Sequence, residues 1–439
     1  MAHDRLPMII LADDLTGAMD VGLEAVRKGR CVEVRISQMP HEAMALPGVP
    51  DDSAGIAGDA ACGRVLVMSS ESRNLGEAEA RERVRSILAH APCPGIAYKK
   101  VDSTLRGNIG AELEAALTAG GYDLAVLVLS LPAAGRTVRN GMLVLNGMPV
   151  TESDLSKDPF APVHSPYPAV VIRSQTEMPI GHVPIETVHQ GMIPTFCHLM
   201  DLYGKGRRII VADAETETDL QVLALALAKL PLRVLPCGSA GLLSAIVTPQ
   251  APCGGVDPCR RAAFIQKPWL VLSASPADAT RRQIARAACH GFRVLRPSSE
   301  EIDPGSLVQS VWGSLLRGQD VVVDLAGESK EKIGLRYWQD PQGLLDAGRR
   351  IRERAGGVAL GLYGRGMDPP LVLFGGDTAQ AVLSGLGAEA VQLCGAVEPN
   401  VPWGVIRGGK AHGGLVVTKA GGFGTDDLLG RLKKGVWHG

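Results

Sequence analysis

Leu371-Val-Leu-Phe-Gly-Gly-Asp-Thr-Ala-Gln-Ala-Val-Leu383 decides the fold. Four apolar residues run into Gly375-Gly376-Asp377-Thr378, and an apolar pattern of helical period begins at Ala379, which reads as strand, tight glycine turn and helix. Such a turn aims bare backbone amides and a helix N-terminus at one point. Small residues there let an anion approach the backbone closely, and Thr378 either caps the helix or binds an oxygen directly. The same pattern also serves an ordinary βα turn that needs glycine only for its backbone angles.

A second stretch favours the phosphate reading. Leu415-Val-Val-Thr-Lys-Ala-Gly-Gly-Phe-Gly-Thr-Asp-Asp-Leu-Leu429 repeats the order of strand, glycine turn and acidic helix start. Ligands of open α/β sheets sit beyond the carboxyl ends of the strands, so two such turns in one domain can face the same crevice. Paired, they suit the phosphates of a nucleotide, with Gly421 and Gly422 joining residues 375–378.

A chain of 439 residues exceeds one ordinary core, and two or three domains are expected. Hydrophobic content of 46% with 53 glycines and only 4% aromatics suits an α/β protein rich in βα turns. Lys plus Arg number 45 against 46 Asp plus Glu, which gives no sign of a nucleic-acid groove or an anionic membrane as partner. No apolar run approaches the ~20 residues of a bilayer span. Met1-Ala-His-Asp-Arg-Leu-Pro7 lacks the apolar segment of a signal peptide, so a cytoplasmic location is expected. Nine single cysteines without a Cys-x-x-Cys pair point to reduced thiols. His164, His182, His189 and His198 lack metal-ligand spacing, and no protein metal site is expected.

From the N-terminus, Met8-Ile-Ile-Leu-Ala12 is a continuous apolar strand ending in Asp13-Asp14-Leu-Thr-Gly17, followed by a helix pattern at 18–28. Further strands are expected at 32–36, 64–69, 96–100 and 124–129, with helices at 77–90 and 109–119. This alternation means a mainly parallel sheet covered on both faces. Residues 133–191, rich in Pro, Gly, Ser and Thr, break the pattern and read as long ordered loops. Regular signals resume at 208–212 and 217–230, and 249–258 has the composition of a linker. The expected division is a domain at 1–250, a linker at 251–267 and a second domain at 268–439, both α/β.

Three strand ends in the first domain carry polar clusters that packing alone does not request. Neighbouring residues of an extended chain face opposite ways, so one of Asp13 and Asp14 is expected in the crevice while the other caps the helix. In Tyr98-Lys-Lys-Val-Asp-Ser-Thr-Leu-Arg-Gly107 the same period sets Lys100 and Asp102 on one side, and Ser103 begins the turn. A cation, a carboxylate and a hydroxyl can grip a small polyhydroxy acid: Lys100 for its carboxylate, Asp102 for its hydroxyls. Met68-Ser-Ser-Glu-Ser-Arg73 delivers a guanidinium, a bidentate anchor for the acid. Other nucleotide motifs fail. Gly404-Val-Ile-Arg-Gly-Gly-Lys410 has P-loop spacing but Ala411 in place of the Mg-binding hydroxyl, and the dinucleotide fingerprint begun by Gly422-Phe-Gly424 meets Asp427 at its third glycine position.

At these residues the chain resembles the four-carbon acid sugar kinase family, ATP-dependent enzymes acting on threonate, erythronate and 3-oxo-tetronate. The similar segments, in the family's order, are Ala12-Asp-Asp-Leu-Thr-Gly-Ala18, Ser72-Arg73, Lys99-Lys-Val-Asp-Ser-Thr-Leu-Arg-Gly-Asn108, Gly135-Arg-Thr137, Gly375-Gly-Asp-Thr378 and Lys419-Ala-Gly-Gly-Phe-Gly424. The resemblance implies an acid-sugar-binding N-terminal domain and a nucleotide-binding C-terminal domain, with the active site in the cleft between them. It implies Asp14, Arg73, Lys100, Val101, Asp102 and Ser103 for the sugar acid, and Ser275, Gly375 to Thr378 and Gly421 for ATP. Where the family often carries Gly-Ser-x-Ser, this chain has Ala274-Ser-Pro-Ala277, so the second serine is missing.

Phosphoryl transfer to a sugar hydroxyl needs alignment and charge neutralisation, so Mg2+ is expected on the ATP phosphates. The expected base is Asp14, with Asp102 next and Asp426 or Asp427 behind. D-threonate is the first-choice acid and a homodimer the default assembly. Two readings of other classes stand beside this one: a nucleotide sensor that binds without turnover, and a dinucleotide-dependent dehydrogenase.

Overall fold

The computed structural model describes residues 8–36, 63–90, 95–153, 163–250, 265–297, 304–327, 340–435 and 437. Residues 251–264 of the expected linker fall outside them. The chain forms two compact units, and among the described residues the first comprises 8–30 and 63–250, the second 31–36 and everything from 265 onward. No described helix is long and apolar enough to cross a membrane.

In chain order the strands up to residue 250 are β1 (Met8–Ala12), β2 (Cys31–Arg35), β3 (Arg64–Ser69), β4 (Tyr98–Lys100), β5 (Leu124–Val128), β6 (Arg136–Arg139), β7 (Met142–Leu145), β8 (Met148–Pro149), β9 (Ile180–Val183), β10 (Ile209–Ala212) and β11 (Val234–Gly238). The first unit's main sheet runs β3-β1-β4-β11-β5-β10-β9, and every pair in it is parallel. Sequences such as Met-Ile-Ile-Leu-Ala in β1 and Leu-Ala-Val-Leu-Val in β5 are apolar at every position because helices bury both faces. Helix Leu15–Arg27 begins where Asp14 Oδ1 accepts from Gly17 N at 2.6 Å, and helix Glu217–Lys229 starts with a reciprocal Thr216–Asp219 cap.

In the expected long loops at 133–191 the described residues, 133–153 and 163–191, include regular elements instead. β6, β7 and β8 form an antiparallel meander, followed by helices Pro168–Arg173 and Ile185–His189 and the strand β9. Both hairpin turns are Asn-Gly pairs, Asn140-Gly141 and Asn146-Gly147, with all four residues at positive φ. That is the conformation whose twist matches the flanking strands. His182 and His189, both at the surface, face Asp213 at 2.9 Å and Asp219 at 3.5 Å.

The remaining strands are β12 (Leu270–Ser273), β13 (Arg293–Leu295), β14 (Val321–Asp324), β15 (Leu371–Phe374), β16 (Ala390–Glu398), β17 (Val401–Arg407) and β18 (Leu415–Lys419). The second unit's order is β13-β14-β12-β15-β18-β17-β16-β2, parallel as far as β18 and antiparallel beyond it. β2, counted with the first domain in the sequence reading, pairs with β16 here, Val32 opposite Leu393 and Arg35 opposite Ala390. The P-loop-like Gly404–Lys410 stretch is the end of β17 and its turn. The core of this unit gathers Trp269, Phe374, Val397 and Trp403, with the Trp437 ring edge-on to Trp403 at 5.0 Å. Cys31 is disulfide-bonded, against the expectation of reduced thiols, while Cys197, Cys237, Cys289 and Cys394 are free.

Candidate active site

In the first unit β1 lies between β3 and β4, with Ala12 opposite Ser69 and Leu11 opposite Lys99. The three carboxyl ends therefore deliver Asp13 and Asp14, Ser72 and Arg73, and Lys100 to Ser103 to one neighbourhood, where α/β sheets bind ligands. Asp13, Asp14, Lys100 and Asp102 are all buried there.

Arg73 is the centre of this cluster. Its Nε donates to Asp13 Oδ2 at 2.8 Å, its Nη2 to Asp13 Oδ1 at 3.1 Å, and its Nη1 to Asp14 Oδ2, while Asp102 Oδ2 stands 3.4 Å from Nη2. Both aspartates of the pair turn to the same guanidinium, because Asp14 caps the helix with one oxygen and meets Arg73 with the other. Arg73, expected as a bidentate anchor for the acid, meets carboxylates of its own chain with all three nitrogens.

The charges shape one another. Burial opposes the charge on Arg73, yet Asp13, Asp14 and Asp102 hold its pKa well above the ordinary value. Asp13 is pushed up by burial but held below its usual range by Arg73 and Lys100. Asp102, equally buried, is held well below by Arg106 and then Arg73. Asp14 goes the other way: burial, assisted by the negative charge of Asp13, outweighs Arg73 and raises it to about 6. One carboxylate of three thus sits near the pKa suited to a general base.

Gly17 makes room for this arrangement. A Cβ there would lie 2.8 Å from Asp14 Oδ1 and 3.2 Å from Lys100 Nζ. Lys100 Nζ donates to Val101 O at 2.8 Å, and no carboxylate among the described residues comes within ion-pair distance of it. Its neighbour Lys99, on the other side of the strand, is fully buried and paired with Glu112 at 2.5 Å, while Glu112 also accepts from Ser72 Oγ at 2.7 Å. Asp102 is held by Thr104 N at 2.7 Å, Thr104 Oγ1 at 2.5 Å and Arg106 Nη2 at 2.7 Å. Ser103 Oγ accepts from Arg136 Nη1 at 2.8 Å. Arg106 and Arg136 are members of the cluster to which the sequence reading gave no role.

The second unit repeats the logic with different chemistry. β15 lies between β12 and β18, with Phe374 opposite both Ser273 and Lys419, so Ser275, Gly375 and Gly421 follow three adjacent strand ends. A Cβ on Gly375 would stand 3.2 Å from Thr378 Oγ1 and 3.5 Å from Ser275 Cβ. One on Gly421 would stand 2.4 Å from Ser275 Oγ and 3.0 Å from Ala277 Cβ. These residues therefore converge on one glycine-lined cradle. Gly375 takes φ 103° and caps helix Gly376–Gly385 without a side-chain bond, its own amide donating to Lys419 O at 2.9 Å. The first amides of that helix, from Gly376 to Thr378, have no partner within it by helix geometry. Thr378 is buried and caps nothing, and Asp377 is exposed with Arg352 at 3.5 Å.

Gly422 meets no neighbour at its Cβ position. The helix after it starts at Leu428, later than the sequence suggests; Asp426 is ion-paired with Arg282, and Asp427 Oδ1 lies 2.8 Å from His290 Nε2. Lys419, also given no role in the sequence reading, is 2% exposed and donates to Thr280 Oγ1 at 2.9 Å, Ala420 O at 3.1 Å and Gly421 O at 3.0 Å. Its ammonium lies 4.5 Å from the Phe374 ring centroid, and burial lowers its pKa to about 7. Small residues at a helix N-terminus, a hydroxyl and a nearby cation fit a phosphate chain. No group of three or more His, Cys, Asp or Glu among the described residues is placed to hold a metal.

Residues 8–246 match the sugar-binding N-terminal domain family and residues 270–429 the nucleotide-binding C-terminal domain family. The D-threonate kinase of Salmonella typhimurium (strain LT2) is 32% identical across 97% of this chain and 97% of its own length. The D-erythronate kinase of Heliobacterium modesticaldum is 29% identical across 96% of this chain and 94% of its own. The crystal structure of Haemophilus influenzae protein HI1011 superposes with a TM-score of 0.67 at 21% identity, over 97% of this chain and 99% of that one, a likeness of fold.

Proposed function

Because the chain belongs to the four-carbon acid sugar kinase family and is a sugar-acid kinase, we propose that it transfers the terminal phosphoryl group of ATP to a hydroxyl of D-threonate, giving the 4-phosphate. The observation that carries the reading is the division of chemistry between two sets of strand ends. One holds a carboxylate raised to about 6, Asp14, beside a buried cation, Lys100, that has no carboxylate within ion-pair distance among the described residues; the other is a glycine-lined cradle at Ser275, Gly375 and Gly421.

In this reading Asp14 accepts the proton of the attacking hydroxyl. Each of its oxygens already accepts one bond, from Gly17 N or Arg73, and each retains a further lone pair. Lys100 and Ser103 meet the acid, the Val101 backbone lines it, and Asp102, kept ionised by Arg106 and Arg73 and with both oxygens already accepting from Thr104 and Arg106, fixes the loop that carries Ser103. Arg73 contributes by fixing Asp13 and Asp14. Amides 376–378 and the Ser275 hydroxyl hold the phosphates at roughly 1.5–3 kcal/mol per charged hydrogen bond. Mg2+ carried on the phosphates would supply neutralisation of the transferring group. Transfer requires the acceptor hydroxyl to meet the terminal phosphate with water kept out.

The name of the Salmonella relative supports D-threonate over D-erythronate, the substrate in the name of the Heliobacterium one. ADP release coupled to a panel of four-carbon acids tests the choice. D-threonate should give the highest kcat/KM, and preference for D-erythronate or 3-oxo-tetronate would overturn it. Absence of any acid-dependent ADP release alongside ATP binding would leave the sensor reading in its place.

A further inference from the structure

Arg136 opens β6 immediately after Gly135, which takes φ 67° with Asn146 N bonded to its carbonyl at 2.7 Å. The side chain is 6% exposed, in the interior beside the loop that follows β4. Its Nε donates to Leu129 O at 3.2 Å and its Nη1 to Ser103 Oγ at 2.8 Å. Among the described residues no carboxylate comes within 4.0 Å of the guanidinium, and Asp20 and Asp102 act on it only from farther away. Burial is the largest influence on it and lowers its pKa. Arg73 and Arg106, by contrast, are each matched to aspartates.

A buried cation without a counter-charge is costly, and two neutral acceptors answer only part of its bonding capacity. One N–H of Nη1 and both of Nη2 remain in the guanidinium plane beyond the two bonds described, the edge that a carboxylate grips with two parallel bonds. Ser103, already assigned to the acid, is the hydroxyl that Arg136 holds.

We propose that Arg136 is the bidentate anchor for the carboxylate of the sugar acid, with Ser103 as its neighbour on the substrate. The assignment rests on the sugar-acid kinase reading above and gives the carboxylate a place away from the Asp14–Lys100 pair. Lys100 is then left to the reacting end, where it offsets charge beside the base. The acid's two ends thus meet different cations, which fixes the direction in which the chain of hydroxyls lies.

The test is calorimetric affinity for D-threonate and for the neutral polyol threitol, with ATP turnover, in wild type, Arg136→Gln and Arg136→Lys. Wild type should bind the acid far better than the polyol. Arg136→Gln should weaken acid binding by about 10- to 100-fold, leave polyol binding and the KM for ATP unchanged, and so collapse the preference. Arg136→Lys, which keeps the charge and loses the fork, should fall between. A merely structural arginine would weaken acid and polyol alike. If Arg136→Gln keeps the wild-type preference, or if it fails to fold and Arg136→Lys keeps it, the assignment is wrong. Wild-type protein that releases no ADP with any acid would overturn the kinase reading instead, a result separable from the first.

Discussion

Arg73→Ala should destabilise the first unit, and the size of the effect follows from the carboxylates it leaves behind. The guanidinium answers Asp13 at 2.8 and 3.1 Å, Asp14 through Nη1, and Asp102 at 3.4 Å, all four side chains being buried or nearly so. Without it Lys100, Lys99 and Arg106 remain as the nearby cations that lower one or another of these aspartates. Removing one partner of a buried ion pair costs about 3–5 kcal/mol, because the remaining charge is stranded. For a domain of this size that corresponds to a loss of about 6–20 °C in Tm.

The pH dependence supplies an independent check. In wild type Asp13 and Asp102 are depressed, so their stabilisation is complete above the unfolded value of about 3.9 and is lost only as pH falls through the lower folded values. In the variant burial is opposed by less positive charge. The carboxylates rise, protonation relieves them, and the gap in Tm to wild type should narrow between about pH 7.5 and about pH 5. Scanning calorimetry at both pH values measures this. A variant within about 2 °C of wild type, whose sole defect is a raised KM for the acid, would refute the account and restore Arg73 as a free substrate anchor.

Asp14→Asn keeps the cap acceptor for Gly17 N and removes the base, so kcat should fall by about 10²- to 10⁴-fold with the KM for ATP unchanged. The raised pKa puts loss of wild-type activity on acidification near pH 6, because the protonated carboxyl cannot accept; an unshifted acidic limb in the variant would remove Asp14 from that role. Gly421→Ala places a methyl 2.4 Å from Ser275 Oγ and should weaken ATP binding by about 5- to 150-fold, measured by calorimetry, without changing affinity for the acid. Equal ATP affinity would dissolve the cradle. Lys419, lowered to about 7, makes stability rise with pH from there to its unfolded value near 10.5, since the unfolded chain holds the extra proton. Lys419→Met should flatten that slope in urea titrations, and an unchanged slope would assign it to another group.

The parallel sheets were legible because local pattern decides them. Met-Ile-Ile-Leu-Ala in β1 and Leu-Val-Leu-Phe in β15 are apolar on both faces, and the polar residues that follow stand at adjacent strand ends. The meander was legible too and went unread, since Asn140-Gly141 and Asn146-Gly147 are hairpin signals obscured by a stretch rich in loop-forming residues. β2 was not legible in its partner. Its alternation of buried and half-buried positions marks a strand, but nothing local selects β16, more than three hundred residues away, as its neighbour. The same limit applies to Arg136, whose meeting with Ser103 spans 33 residues and depends on where β6 starts.

Charge counting in the sequence cannot rank candidate anchors, for the same reason. A list of cations near the strand ends treats Arg73, Lys100, Arg106 and Arg136 as equal candidates for an anionic ligand, whereas attraction depends on what remains after each has met its neighbours. Three aspartates neutralise Arg73 and engage each of its nitrogens, and Asp102 also occupies Arg106. Lys100 and Arg136 are left with carbonyl and hydroxyl acceptors, which leave a full positive charge in a buried setting. Coulomb attraction at low effective dielectric is several times that in water, so each such cation attracts an acid more strongly than an exposed lysine does. The paired arginines do the complementary work of holding the aspartates, and the difference in pKa direction between Asp102 and Asp14 follows from how much of that positive charge each receives.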